Sequence, residues 1–319
     1  MPEFVLFGDS LTEWGFSEAT QGFGRFLQQQ YRYKVGIVNE GRVGLDLVMR
    51  FEEPAADMAA LSAEQPEIVL FGASMTEWSF TRETHGFGWY LTDKYVGKAR
   101  VVNEGRAGYT SSSLQDDFAR VIRRATAPDA PQTLLFTIFV GANDACVFGD
   151  TEKVPWPVFS ENIRGFLDTI LTEQAMENTK IVLITPPPIN GPADDGERLS
   201  QKQIEDMNRA KKEWPRYKTY MNKKRYAEGL MQIAKEYEET ERVAGLNFWQ
   251  LIVDALMKEE GWQYDPELPP GCGLIGAKSF PKGWFTDGLH LDVKGYAVLS
   301  KGLFKLITTK WPELAPEKL

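Results

Sequence analysis

The sequence predicts an α/β protein in which a parallel sheet is covered by helices on both faces. Two observations point there. Short apolar runs of strand length alternate with segments of helical periodicity, and the first strand–helix–strand unit is written twice. Strands buried on both faces are expected to read as near-continuous apolar runs, which is how these runs read.

Residues 2–44 align without a gap onto 66–108 and agree at more than half of their positions, so that Ser10 falls on Ser74. Each copy reads as an apolar strand, Gly-(Asp/Ala)-Ser, Thr-Glu-Trp, a Gly-Phe-Gly that opens a helix, and a strand ending Asn-Glu-Gly-Arg-(Val/Ala)-Gly, which is a βαβ unit. Beyond the second copy the pattern predicts a helix around 112–125, a strand Thr133 to Val140, a helix near 157–172 and a strand Lys180 to Ile184. A helix over 217–236, a strand Val243 to Phe248, a helix over 249–260 and a final helix over 293–308 follow. From residue 66 onward this makes five strands, a complete sheet. Residues 1–64 are therefore expected to be a partial N-terminal duplicate, and 65–319 the main domain. Segments 186–216 and 262–286, rich in Pro, Gly and charge, read as long loops that shape a site or move.

The chain has 319 residues, enough to bury a sizeable core. A net charge of −9 disfavours a nucleic-acid partner, which needs concentrated positive surface. No apolar run approaches the ~18 residues of a membrane span, so stable membrane insertion is not expected. The N-terminus lacks the pattern of a signal peptide, and with only Cys146 and Cys272 a disulfide framework is not expected either; the expected compartment is the cytoplasm. The two cysteines read as plain buried thiols.

The chain has two histidines. His85 occupies a turn where the first copy has Gln21, so no imidazole is needed there, and a surface role is expected. His290 lies three residues after Asp287 in Thr-Asp-Gly-Leu-His-Leu, where one turn can present a carboxylate and an imidazole together. The carboxylate would fix the tautomer, leaving the other ring nitrogen to take a proton from a hydroxyl. Ser74 and Ser10 are the serine candidates, since each ends an apolar strand and ligands of parallel sheets bind beyond the carboxyl ends of strands. Either could equally be a helix cap. Oxyanion donors are offered by Asn143, in Gly141-Ala142-Asn143-Asp144, and by Gly108, whose bare backbone N–H a carbonyl oxygen can approach.

The order Gly-x-Ser, Gly, Gly-x-Asn-Asp, Asp-x-x-His resembles the SGNH or GDSL hydrolases. Phe-Gly-(Asp/Ala)-Ser-(Leu/Met)-Thr-Glu-Trp, Gly-Ala-Asn-Asp-Ala, Val-Pro followed by Asn162-Ile163-Arg164, and Thr-Asp-Gly-Leu-His-Leu are similar to the isoamyl acetate-hydrolysing esterases of fungal type, over about residues 66–312. The resemblance implies a flavodoxin-like three-layer α/β/α fold, no metal or other cofactor, and hydrolysis of small esters by Ser74, Asp287 and His290 with Gly108 and Asn143 as the oxyanion hole. Members of this branch are often homodimers, which extends the expectation to this chain. One departure is Ala73, where the family carries an aspartate that here survives only as Asp9; its loss is expected to weaken loop positioning. Ser74 is favoured because its copy runs directly into the Asn143 strand and keeps the family's continuation Gly108-Tyr109-Thr110-Ser111, while Ser10 remains the alternative.

Trp262, Tyr264, Phe280, Trp284 and Phe285 either wall the pocket or fill core beneath the long loop. The basic stretch Arg209 to Tyr226 reads as a solvated helix face, or else as a surface for an acidic partner or membrane. A catalytically impaired member acting as an interaction or regulatory protein is the competing reading. Gly271-x4-Gly276 is followed by Ala277-Lys278-Ser279, and the inserted alanine breaks phosphate-loop spacing. The chain offers no histidine cluster for a metal.

Overall fold

The computed structural model describes residues 3–8, 36–41, 65–147 and 153–319. The chain divides into two compact units, Met1–Ala60 and Leu61–Leu319. In the first, strands β1 (Glu3–Gly8) and β2 (Gly36–Gly41) pair in parallel with Glu3 opposite Gly36 and Gly8 opposite Gly41. Ser10 lies outside the described residues.

The second unit holds a five-stranded, wholly parallel sheet in the order β4-β3-β5-β6-β7. Its strands are β3 (Glu67–Gly72), β4 (Arg100–Gly105), β5 (Thr133–Phe139), β6 (Lys180–Ile184) and β7 (Val243–Leu246). The helices are α1 (Ser74–Glu77), α2 (Phe87–Lys94), α3 (Gln115–Ala125), α4 (Trp156–Thr172), α5 (Gln201–Lys212), α6 (Pro215–Glu236), α7 (Phe248–Glu260) and α8 (Val293–Lys310).

Side chains alternate across a strand, and here that alternation builds two cores. Ile68, Leu70, Val182 and Ile184 face one side, where Leu91 of α2, Ile252 of α7 and Leu299 and Leu303 of α8 cover them. Val69, Phe71, Ile181 and Leu183 face the other, under Phe118 of α3, Phe166 of α4 and Leu230 of α6. The helices that cover the sheet supply stripes at helical spacing, as in Phe118, Val121, Ile122 and Ala125 of α3. This is the expected three-layer α/β/α arrangement. Order reversal places β4 on one side of β3 and β5 on the other, so the crevice at the carboxyl ends of β3 and β5 is the topological switch point.

Two elements differ from the sequence reading, and a third settles an open alternative. The strand expected over Val243 to Phe248 stops at Leu246, because Asn247 caps α7 by accepting from the Gln250 N–H. Segment 186–216 is not a continuous loop: it contains α5, which has no buried residue and hence no apolar stripe to read. The loop 262–286 is irregular as expected, and of the two readings of its aromatics Phe280, Trp284 and Phe285 follow the core one, with Trp262 packed against that core and Tyr264 exposed.

Candidate active site

Glu67–Gly72 delivers Ser74 to the switch point through a tight turn. A Cβ on Gly72 would stand 2.4 Å from the Phe139 carbonyl oxygen, so only glycine allows β3 to leave the sheet so close to β5. The Ala73 N–H then donates to Phe139 O at 3.3 Å, and its carbonyl accepts from the Thr76 and Glu77 N–H groups at 3.0 and 2.9 Å. Backbone bonds therefore hold this turn; Ala73 is buried, and no side chain caps α1. From the α8 side, the Tyr296 hydroxyl donates to Met75 O at 2.9 Å and pins the same short helix.

Asp287 and His290 come from the loop that enters α8. Asp287 Oδ1 accepts from the Leu289 and His290 backbone N–H groups at 2.9 and 2.8 Å, which closes the turn. That turn places Asp287 Oδ2 2.6 Å from His290 Nδ1 and His290 Nε2 3.1 Å from Ser74 Oγ. A carboxylate oxygen can only accept, so Nδ1 carries the proton; Nε2 is then free to accept from the serine hydroxyl. Burial works to raise the Asp287 carboxyl, but the hydrogen bonds from the His290 N–H, the His290 ring and Leu289 outweigh it and hold the group below the usual carboxylate range.

Gly108 and Asn143 arrive on the strands that flank β3. Gly108, beyond β4, has φ +79°, a left-handed conformation suited to glycine. Asn143, beyond β5, donates through Nδ2 to the Tyr109 carbonyl at 2.9 Å, so the two candidate oxyanion donors stand side by side. Only one of the two Nδ2 protons is used in that bond. Neither the Ser74 nor the Gly108 backbone N–H donates to a described residue. Asp144 ties the two loops together, accepting from Ser111 N–H at 2.8 Å and from Gly141 N–H at 3.1 Å. Burial raises its carboxyl above the ordinary aspartate value in spite of these bonds.

Sequence reasoning missed two neighbours of this constellation. Trp78 places its ring centroid 4.3 Å from that of His290 at 55°, and nothing in the spacing of Thr-Glu-Trp announces an imidazole more than two hundred residues away. Lys223 is fully buried in α6 beside the Asp287 loop. Its signal was present: it falls within the apolar stripe of Tyr220, Ala227 and Leu230, where a solvated lysine does not belong. His85 is exposed in a turn with φ 50°. Cys272 is buried and Cys146 half-buried, and both are free thiols.

Two cavities are lined in part by members of this constellation. One of about 350 Å³ is lined by Trp78, Thr81, Thr84, Thr286, His290 and Leu291. The other, about 220 Å³, has Asn143, Asp287, Ile189 and Leu289 in its wall. A groove of about 500 Å³ between α6, β7 and α8 contains none of these groups. Among the described residues no cluster of three or more metal-binding side chains occurs, and no helix is long and apolar enough to cross a membrane.

Residues 68–303 match the family model described as GDSL-like Lipase/Acylhydrolase. An isoamyl acetate-hydrolyzing esterase 1 homolog of Bos taurus is 28% identical over 248 residues, covering 77% of this chain and 82% of that protein. The isoamyl acetate-hydrolyzing esterase of Saccharomyces cerevisiae is 26% identical over 260 residues, covering 79% and 90%. Among solved structures, an acetylxylan esterase from Geobacillus stearothermophilus superposes with a TM-score of 0.51 at 17% identity, over 76% of this chain and 94% of that one, a likeness of fold. With the family model spanning most of the chain and named esterases aligned over most of their own length, the protein belongs to the GDSL-like lipase/acylhydrolase family, hydrolases that act on ester bonds.

Proposed function

We propose that the chain is a serine esterase that cleaves small carboxylic esters through an acyl-enzyme, with Ser74 as nucleophile, His290 as general base and acid, and Asp287 as its orienting carboxylate. The supporting observation is the unbroken chain of contacts from Asp287 Oδ2 through His290 to Ser74 Oγ, at 2.6 and 3.1 Å. His290 Nε2 takes the serine proton as Oγ attacks the ester carbonyl. The carbonyl oxygen, now negative, is met by the Ser74 and Gly108 N–H groups and by the spare proton of Asn143 Nδ2. The imidazolium that forms is balanced by Asp287 on one nitrogen and lies against the Trp78 ring. His290 then protonates the departing alcohol, and in the second half activates water to release the acid.

The cavity lined by His290 and Trp78 suits the alcohol, which must reach the proton on Nε2; the one that includes Asn143 suits the acyl group, whose oxygen that side chain receives. At about 220 Å³ the acyl cavity favours short chains, in keeping with the acetate esters named in two relatives. A fluorophosphonate is expected to inactivate the protein and to appear by mass spectrometry on the peptide containing Ser74. Labelling on Ser10 instead, or a His290→Ala variant that keeps most of its esterase activity, contradicts the assignment.

A further inference from the structure

The cavity bounded by Asn143 and Asp287 has a cationic wall that ester hydrolysis as described does not use. Arg216, Thr219 and Lys223 stand at i, i+3 and i+7 of α6 and line it together. Lys223 is 1% exposed, and its Nζ has no hydrogen-bond partner among the described residues. Burial pulls its ammonium down to about 7, with the Asp287 carboxylate opposing that shift, so a carboxylate brought into the cavity would restore and meet its charged form.

The lining residues do not supply that partner. Asp287 already accepts through Oδ1 from Leu289 and His290 and through Oδ2 from the His290 ring. Thr219 Oγ1 accepts from the Val147 N–H. Arg216 spends one Nη2 proton on Asn190 O at 2.6 Å, and its other donors have no partner among the described residues. The same cavity is lined by Asn143 and by the apolar side chains Ile189, Leu289 and Ala142. In a chain of net charge −9, a small cavity lined by apolar side chains together with Lys223 and Arg216 suits a short chain with a negative end.

We propose that this cavity is an acyl subsite for esters whose short acyl chain ends in a carboxylate, which Lys223 and Arg216 receive; the proposal rests on the serine-esterase reading above. Such substrates are monoesters of small dicarboxylic acids, and hydrolysis releases the free diacid.

The test compares the 4-nitrophenyl monoester of glutaric acid with its neutral analogue, in which the free carboxyl is methylated. Charge-assisted hydrogen bonds predict that kcat/KM favours the anionic ester by about tenfold or more. The preference is expected to collapse toward one in Lys223→Met, a near-isosteric change at a buried site, and to shrink in Arg216→Gln, a surface change that folding tolerates. A second readout needs no turnover: glutarate binding to Ser74→Ala by calorimetry is expected, weakened about tenfold when Lys223→Met is added. Equal rates for the two esters overturn the subsite and leave the esterase reading standing. Glutarate that fails to bind, or a preference unchanged in both variants, also overturns it. Lys223-dependent glutarate binding in a chain that hydrolyses neither ester supports the subsite and removes the esterase reading.

Discussion

Replacing Asp287 by Asn changes one atom and sets two demands of the site against each other. Oδ1 closes the turn by accepting two backbone N–H groups, while Oδ2 accepts from the His290 ring. Asparagine has a single oxygen. If it keeps the turn, its NH₂ faces Nδ1 and forces the imidazole into the tautomer with the proton on Nε2, which can no longer take a proton from Ser74. If it turns over, the ring is satisfied and the loop loses two bonds. A hydrogen bond to a charged group contributes about 1.5–3 kcal/mol, and the wrong tautomer in a buried protease triad lowers turnover about 10⁴-fold. The Asp287 side chain is 55% exposed, so water partly replaces it. The expected fall in kcat is therefore smaller, about 10²- to 10³-fold, with the unfolding midpoint nearly unchanged. Hydrolysis of 4-nitrophenyl acetate, with thermal unfolding as the control for folding, measures both. A folded Asp287→Asn protein within about tenfold of the parent rate would refute the claim that this carboxylate governs the tautomer.

Asn143→Ala removes one proposed oxyanion donor and should lower kcat by about 10²–10³-fold with little change in KM, read from steady-state kinetics. Asp144→Asn leaves one acceptor for the Ser111 and Gly141 N–H groups and turns an NH₂ toward the other, so a loss of about 1–3 kcal/mol is expected in denaturant unfolding. The raised Asp144 carboxyl also carries a sign: between its ordinary value and its folded one, the native chain holds a proton that the unfolded chain releases. Its contribution to stability therefore falls as pH rises through that window, and this component of the pH profile should vanish in Asp144→Asn.

The sheet was legible because burial on both faces demands uninterrupted apolar strands, and Ile68-Val69-Leu70-Phe71 meets that demand openly. Asp287 and His290 were legible because a single turn brings them together, so spacing alone carries their geometry. Helix α5 was not, since a helix without a buried face leaves no periodic trace; only its capping box, Ser200 with Gln203, signals it. Aromatics near a histidine in sequence, such as Phe280 and Trp284, turned out to serve the core, whereas Trp78, remote in sequence, lies against the ring. Lys223 does not stand out from its basic neighbours in the sequence, because a run of charge hides a member that faces inward.

The order in which the chain leaves the ribosome gives the placement of His290 a further meaning. The serine that follows β3 is made early, and the imidazole proposed to activate it enters just before the last long helix. On the proposed mechanism, a nascent molecule carries an unactivated hydroxyl for most of its synthesis, and reactivity awaits the docking of the final segment. A ribosome-bound fragment that stops short of residue 290 then lacks its general base and is expected to hydrolyse esters orders of magnitude more slowly.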